Sequence, residues 1–192
     1  MTSNEWINCL ERLQIPPPSF PRPFICDGLP QNHKVIVIGN SPSRDVEVDW
    51  WSFWSEDGFD YKRFNKEYTN HFDESKTRKN FINPIVNNLK PITIVETNAS
   101  MSKHAHKYSN REIVKTLLEN MPNLTAIIAF GRYGRKLAGK LGKLRRYIRL
   151  SDESIFEFKH PYARISNEER KHIFYEAEIV CEKIKLSHIL SC

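Results

Sequence analysis

Apolar positions along the chain fall into two patterns. Short, almost unbroken apolar runs occur four times, in KVIVIG (34–39), ITIVET (92–97), LTAIIAF (124–130) and SIFEFKH (154–160). Runs of this length, rich in Val and Ile, predict buried strands. Between and around them the apolar residues recur every three or four positions, which predicts helices over 4–14, 60–72, 75–89, 109–120, 132–141 and 167–187. Strands that alternate with helices in this way form a mainly parallel sheet covered on both faces. The expected fold is therefore α/β, three layers (α/β/α) around a central four-stranded sheet. IPPPSFPRPF (15–24) can be neither helix nor central strand, because proline lacks the amide hydrogen both need; it reads as an extended crossing. The 192 residues make one domain: residues 1–30 supply an N-terminal helix and the crossing, and 167–192 a C-terminal helix.

Charge changes the picture more than composition does. Residues 101–150 hold twelve Lys and Arg against Glu112 and Glu119, a surplus of ten positive charges, while the rest of the chain is net acidic by four. A basic lobe on an acidic body points to a polyanion, most simply nucleic acid, although a solvated helix face has the same composition. No apolar run reaches the roughly 18 residues of a membrane span. MTSNEWINCLERL has acids and lacks the apolar core of a signal peptide, so a cytoplasmic protein with no membrane association is expected. The four cysteines lie far apart with no CxxC pair, and reduced structural thiols with no metal and no cofactor are expected.

In a parallel α/β sheet, ligands sit beyond the carboxyl ends of the strands, so the residues just past each run are the ones that carry chemistry. The first run ends in GNSPS: Gly39 allows close backbone approach, Pro42 fixes a turn, and Asn40, Ser41 and Ser43 offer short polar groups. It fits neither a phosphate-binding P-loop nor a dinucleotide turn. DWWSFW (49–54) follows, either a small satellite core or a flat wall for a planar ring. The second run ends in ETNAS, where Asn98 either reads the edge of a base or makes a turn. The fourth ends in KHPYAR: Pro161 holds His160 extended, and its imidazole suits a developing oxyanion. His104 and His106 read as a basic loop beside a phosphate backbone, since no third metal ligand accompanies them.

Taken in order, these strand ends resemble the uracil-DNA glycosylase superfamily. The likeness lies in the Gly-x-x-Pro loop at Gly39 to Ser43, Asn98 after the second strand, the glycine-containing helix start in IIAFGRYGRKL, and the His-Pro loop HPYAR, and it spans about Lys34 to Ile165. The resemblance implies an enzyme that flips a nucleotide out of DNA, double-stranded or single-stranded, and hydrolyses its N-glycosidic bond, leaving an abasic site. It implies that His160 stabilises the departing base anion, with Asn40, Ser41 and Asp45 around the attacking water. Asn98 would read the base, one of Trp51, Phe53, Trp54 or the neighbouring Trp50 would stack on it, and Ser43 would lie beside its C5. Gly39, Pro42, Ser100, Lys103, Arg132 and Tyr162 would contact DNA, with Arg164 as the wedge that fills the vacated site.

Two departures shape the expected activity. Ser41 stands where the best-known members have a water-activating Asp, which leaves Asp45, with Asp49 behind it, as the carboxylate. Ser43 stands where uracil-specific members have a Tyr that excludes a 5-methyl group. The expected substrate is therefore uracil or, better, a C5-substituted pyrimidine, hydroxymethylated or glucosylated as in phage DNA. The alternative is a nucleic-acid-binding module that kept the fold and lost the chemistry. A small-molecule hydrolase is a third class, and the chain lacks its GxSxG elbow. A monomer is expected.

Overall fold

The computed structural model describes residues 1–11, 24–39, 48–70, 75–96, 111–132, 134–135 and 154–190. Within them the four apolar runs are strands: β2 (Val35–Gly39), β5 (Ile92–Glu96), β6 (Ala126–Phe130) and β7 (Ile155–Phe158). All four are parallel, in the spatial order β5-β2-β6-β7. Val35 to Ile38 are completely buried, as a central strand between two neighbours requires.

The sheet has a fifth strand that the apolar pattern did not announce. β1 (Phe24–Ile25) pairs antiparallel with β5, Phe24 opposite Val95 and Ile25 opposite Ile94, so the sheet is mixed rather than four-stranded. Two residues directly after Pro23 are too few to show periodicity. An edge position also asks for hydrogen bonds on one side only, which the end of a proline-rich segment can supply. A further hairpin, β3 (Trp54–Ser55) with β4 (Gly58–Phe59), stands apart from the sheet.

Helices α1 (Ser3–Glu11), α2 (Tyr61–Asn70), α4 (Arg111–Asn120) and α5 (Asn167–Leu190) match expected segments as far as these are described. Of the segment expected at 132–141, residues 132, 134 and 135 are helical, as is Gly131 just before it, and the remainder lies outside the described residues. The run at 75–89 differs: residues 78–82 form a π turn that leads into α3 (Asn83–Leu89). Pro84 explains it. Proline cannot donate to the carbonyl four residues back, and its ring crowds that carbonyl. The ladder widens instead, and the Asn83 amide reaches five residues back to the Arg78 carbonyl.

Register fixes which side chains share a face. Val35, Val37 and Gly39 lie with Ala126, Ile128 and Phe130, and these with Phe156 and Phe158. Phe81, on the π turn, meets Phe130 edge-on at 5.4 Å and Phe158 at 6.0 Å, while Lys183 of α5 lies 5.7 Å over the Phe156 ring. Thus α3 and α5 cover this face. Parallel strands are joined right-handedly, so α4, which stands between β5 and β6 in the chain, belongs to the opposite face. There Val114 and Leu117 are buried along with Ile36, Ile38 and Ile127.

His33, completely buried just before β2, ties the amino ends of two strands together. Its Nδ1 lies 2.8 Å from the Thr93 hydroxyl and its Nε2 2.9 Å from the Asp27 carbonyl. A carbonyl can only accept, so Nε2 carries the proton and Nδ1 accepts from Thr93. Burial pushes its pKa below the ordinary 6.5, against smaller opposing effects from Asp27 and the Ile92 backbone. A folded pKa below the unfolded one gives stability that is complete above about pH 6.5 and lost as pH falls through the folded value. Denaturant midpoints should therefore fall between pH 8 and pH 5, more steeply for the native chain than for His33→Asn; equal slopes would contradict this role.

Candidate nucleic-acid interface

Because the four long strands run parallel and in register, their carboxyl ends share one edge of the sheet. Gly39 pairs with Glu96, Ile38 with Ala129, and Phe130 with Phe158. The described segments that leave β6 and β7 both start along that edge. Between the ends of β6 and β7 lies a concave space of about 460 Å³, lined by Arg132, Arg135, Lys159, His160 and Ala163.

Gly134 and Gly39 set how closely this edge is packed. The turn after β6 sits directly on β2: a Cβ at Gly134 would come 2.7 Å from the Ile38 carbonyl oxygen, which no side chain tolerates. This contact anchors the short helical stretch that carries Arg132 and Arg135. A Cβ at Gly39 would lie 2.7 Å from the Phe130 ring. Gly39 is itself buried, so the group that approaches it is a core phenylalanine, and the expected DNA contact is replaced by a packing role.

His160 stands two residues past β7, half-buried, its ring 5.9 Å from that of Phe130. The Tyr162 amide donates to its Nδ1 at 3.2 Å. Partial burial lowers its pKa below 6.5. Both effects leave a neutral ring with its proton on Nε2, a hydrogen-bond donor. The turn is closed by the Ala163 amide, which donates to the His160 carbonyl at 3.0 Å.

Tyr162 is held from three sides. Asn80 Nδ2 donates to its hydroxyl at 2.6 Å, the Arg170 guanidinium lies 5.2 Å over its ring, and Phe174 packs at 6.3 Å. Arg170 Nε also donates to the Pro161 carbonyl at 2.9 Å. The π turn places Asn80 here, so the helix irregularity is tied to the loop that orients His160.

The cleft is cationic. Lys159 Nζ is 3.3 Å from Glu169 Oε1, but both groups are exposed and the pair offsets little of the local charge. Arg132 is exposed and Arg135 half-buried, the latter with Nε donating to the Gly131 carbonyl at 3.4 Å. Two guanidiniums and an ammonium beside a neutral donor suit a phosphate-bearing ligand.

The structure thus brings Arg132 and His160 together, with Tyr162 behind them and Arg164 exposed nearby in the chain. It adds Arg135 and Lys159, which the motifs did not single out. The spacing of Arg135, one helical turn after Arg132, is the signal that points to it. Asn80 and Arg170 had no local signal, since their roles arise from tertiary contact. Among the aromatic candidates, Phe53 and Trp50 are 1% exposed and belong to a core with Phe24, Phe59 and Phe64. Phe53 therefore has no face free for a base, which corrects the expectation of stacking there. Trp51 and Trp54 are half-buried. Asp49 caps the turn below them by accepting from the Trp51 amide. Asn40, Ser41, Pro42, Ser43, Asp45, Asn98, Ser100, Lys103, His104 and His106 lie outside the described residues.

Trp54 Nε1 is buried with no hydrogen-bond partner among the described residues. An unmade bond of this kind costs about 1–3 kcal/mol. Trp54→Phe removes this unmade bond but also leaves ring volume unfilled against Phe24, Trp50 and Phe59. The two effects should largely cancel, and stability read from the urea midpoint should move by less than about 2 kcal/mol; a larger loss would show that the packing of the indole outweighs its unmade bond.

Among the described residues, no helix is long and apolar enough to cross a membrane, and no three His, Cys, Asp or Glu side chains group to hold a metal ion. Cys9, Cys26 and Cys181 are free thiols. No family model, curated protein or solved structure matches the chain.

Proposed function

We propose that the chain is a DNA glycosylase that flips a C5-substituted pyrimidine out of DNA and hydrolyses its N-glycosidic bond. The observation that carries this reading is the pairing of a neutral, Nε2-protonated His160 with Arg132, Arg135 and Lys159 in one cleft at the carboxyl edge of the sheet. The order of motifs along the chain and a parallel α/β core are what the uracil-DNA glycosylase-like arrangement requires.

In the proposed reaction, the cations hold phosphates on either side of the flipped nucleotide. Water attacks C1′ as the C1′–N bond breaks, and the bonding electrons leave with the base. The His160 Nε2 hydrogen bonds the base carbonyl oxygen that gathers this negative charge. The water's proton passes to a carboxylate, for which Asp45 is the candidate, or to solvent, and the base takes a proton after release. A fixed donor at a developing oxyanion supplies about 10²–10³ in rate.

Oligonucleotides carrying uracil, 5-hydroxymethyluracil, 5-hydroxymethylcytosine and glucosylated hydroxymethylcytosine, scored for alkali-labile abasic sites, test the proposal. Release of a C5-substituted base supports it. Cleavage of uracil alone would remove the open-pocket argument from Ser43. No abasic site on any substrate, with DNA binding intact, would favour the second reading, a binding module. Ser41 in place of a carboxylate is the feature that supports that alternative.

A further inference from the structure

α5 has 24 residues and two apolar faces. Ile173, Ala177, Cys181 and Ile184 are buried against the domain. On the opposite side, Tyr175 (61% exposed), Ile179 (50%), Leu186 (59%), Ile189 (70%) and Leu190 (86%) face outward. With Glu182 in the middle, positions 175, 179, 182, 186 and 189 follow a 4-3-4-3 spacing, the a/d seam of a coiled coil. A helix apolar on both sides needs a second cover.

We propose that this cover is the same helix of a second copy, packed antiparallel about a two-fold axis between residues 180 and 181. Self-pairing in this register sets Tyr175 against the partner's Leu186, and His172 against the partner's Ile189. On the flanks, Glu176 faces the partner's Lys183 and Glu178 faces the partner's Lys185, each pair occurring twice by symmetry. These pairs form in exchange for the contacts the side chains make within one copy, Glu176 with His172, Lys183 over Phe156 and Lys185 with Asn88. Glu182 meets the partner's Ile179 with its carboxylate drawn to the flank by Lys185, 2.8 Å away, so its methylenes face the seam. Parallel pairing would instead put Glu182 against its own copy, two like charges in the centre of the seam. The two-fold lies about 20 Å along the helix from Asn167, which sets the two helix starts, and the His160 loops before them, about 40 Å apart along the seam. A single helix pair is a small interface, so micromolar dissociation is expected. This inference is independent of the reading of the cleft.

Sedimentation of the full chain over a low to high micromolar range provides the test. The native chain should pass from monomer to dimer, and Leu186→Glu should weaken dimerisation roughly 30-fold or more while leaving the unfolding midpoint of the dilute protein unchanged. Lys183→Glu should weaken it as well, and adding Glu176→Lys should restore it. A chain that stays monomeric at every concentration, or a Leu186→Glu variant that dimerises like the native one, overturns the proposal. Dimerisation without restoration in the charge-swapped pair overturns the antiparallel register.

Discussion

Replacing His160 with Ala should lower the rate of base release about 10²–10³-fold and leave DNA affinity within a few-fold. The asymmetry follows from the geometry. The Tyr162 amide occupies Nδ1, so the remaining nitrogen, Nε2, is a donor with no charge of its own. Such a group gains little from a phosphate and much from an oxygen that becomes negative as the bond breaks. The loss should thus fall on kcat, read under single-turnover conditions, with KM almost unmoved. The pH profile carries the same signature. Protonation would place a hydrogen on Nδ1, opposite the Tyr162 N–H, and break that hydrogen bond. Burial has already pushed the pKa below 6.5, so the rate should be insensitive to this group above that pH and fall as pH drops through the lowered value. A rate that rises on acidification would show that the protonated ring is the active form, and a variant whose main defect is in binding would remove His160 from the chemistry.

Phe53→Ala should cost about 3–5 kcal/mol of folding stability, the range for a large aromatic removed from a closed core. Phe53 packs on Phe59 at 5.8 Å and Phe64 at 5.5 Å, and the Arg63 guanidinium lies 5.3 Å over its ring. Its backbone carbonyl accepts from the Asp60 amide at 2.8 Å, which closes the loop around the ring. Denaturant unfolding separates this role from base stacking. A stacking residue would leave the midpoint in place and weaken binding of a flipped or single-stranded substrate; a core residue does the reverse.

The contrast between these two residues shows where the chain is readable. Val35 to Ile38 and Ala126 to Phe130 announce buried strands because a strand walled on both sides must be apolar at every position, a local requirement. His160 is legible for a related reason: a histidine before proline at a strand end has few conformations open to it. DWWSFW offered two meanings because aromatic rings serve equally in a core and as a wall. The choice depended on Phe24, 26 residues upstream, whose carbonyl accepts from Trp50 Nε1 at 2.7 Å. β1 was hidden for the same reason: Phe24–Ile25 is a strand only because β5 lies beside it. Asn80, at the surface of an apparently regular helix, gains its place through a π turn set by Pro84 and a tyrosine 82 residues away. Lys159 could not be separated from other lysines by spacing, because its place in the cleft depends on Arg132 and Arg135 at the end of the neighbouring strand.

The proposed seat of the polyanion is between the ends of β6 and β7. Its most direct test is the salt dependence of DNA affinity for the native chain and for Arg132→Ala/Arg135→Ala/Lys159→Ala. Each lost phosphate contact lowers the slope of log K against log salt by about 0.9. The triple variant should bind more weakly at low salt, with a slope shallower by about 2–3. A variant with native affinity and an unchanged slope would place the nucleic acid elsewhere and contradict the account.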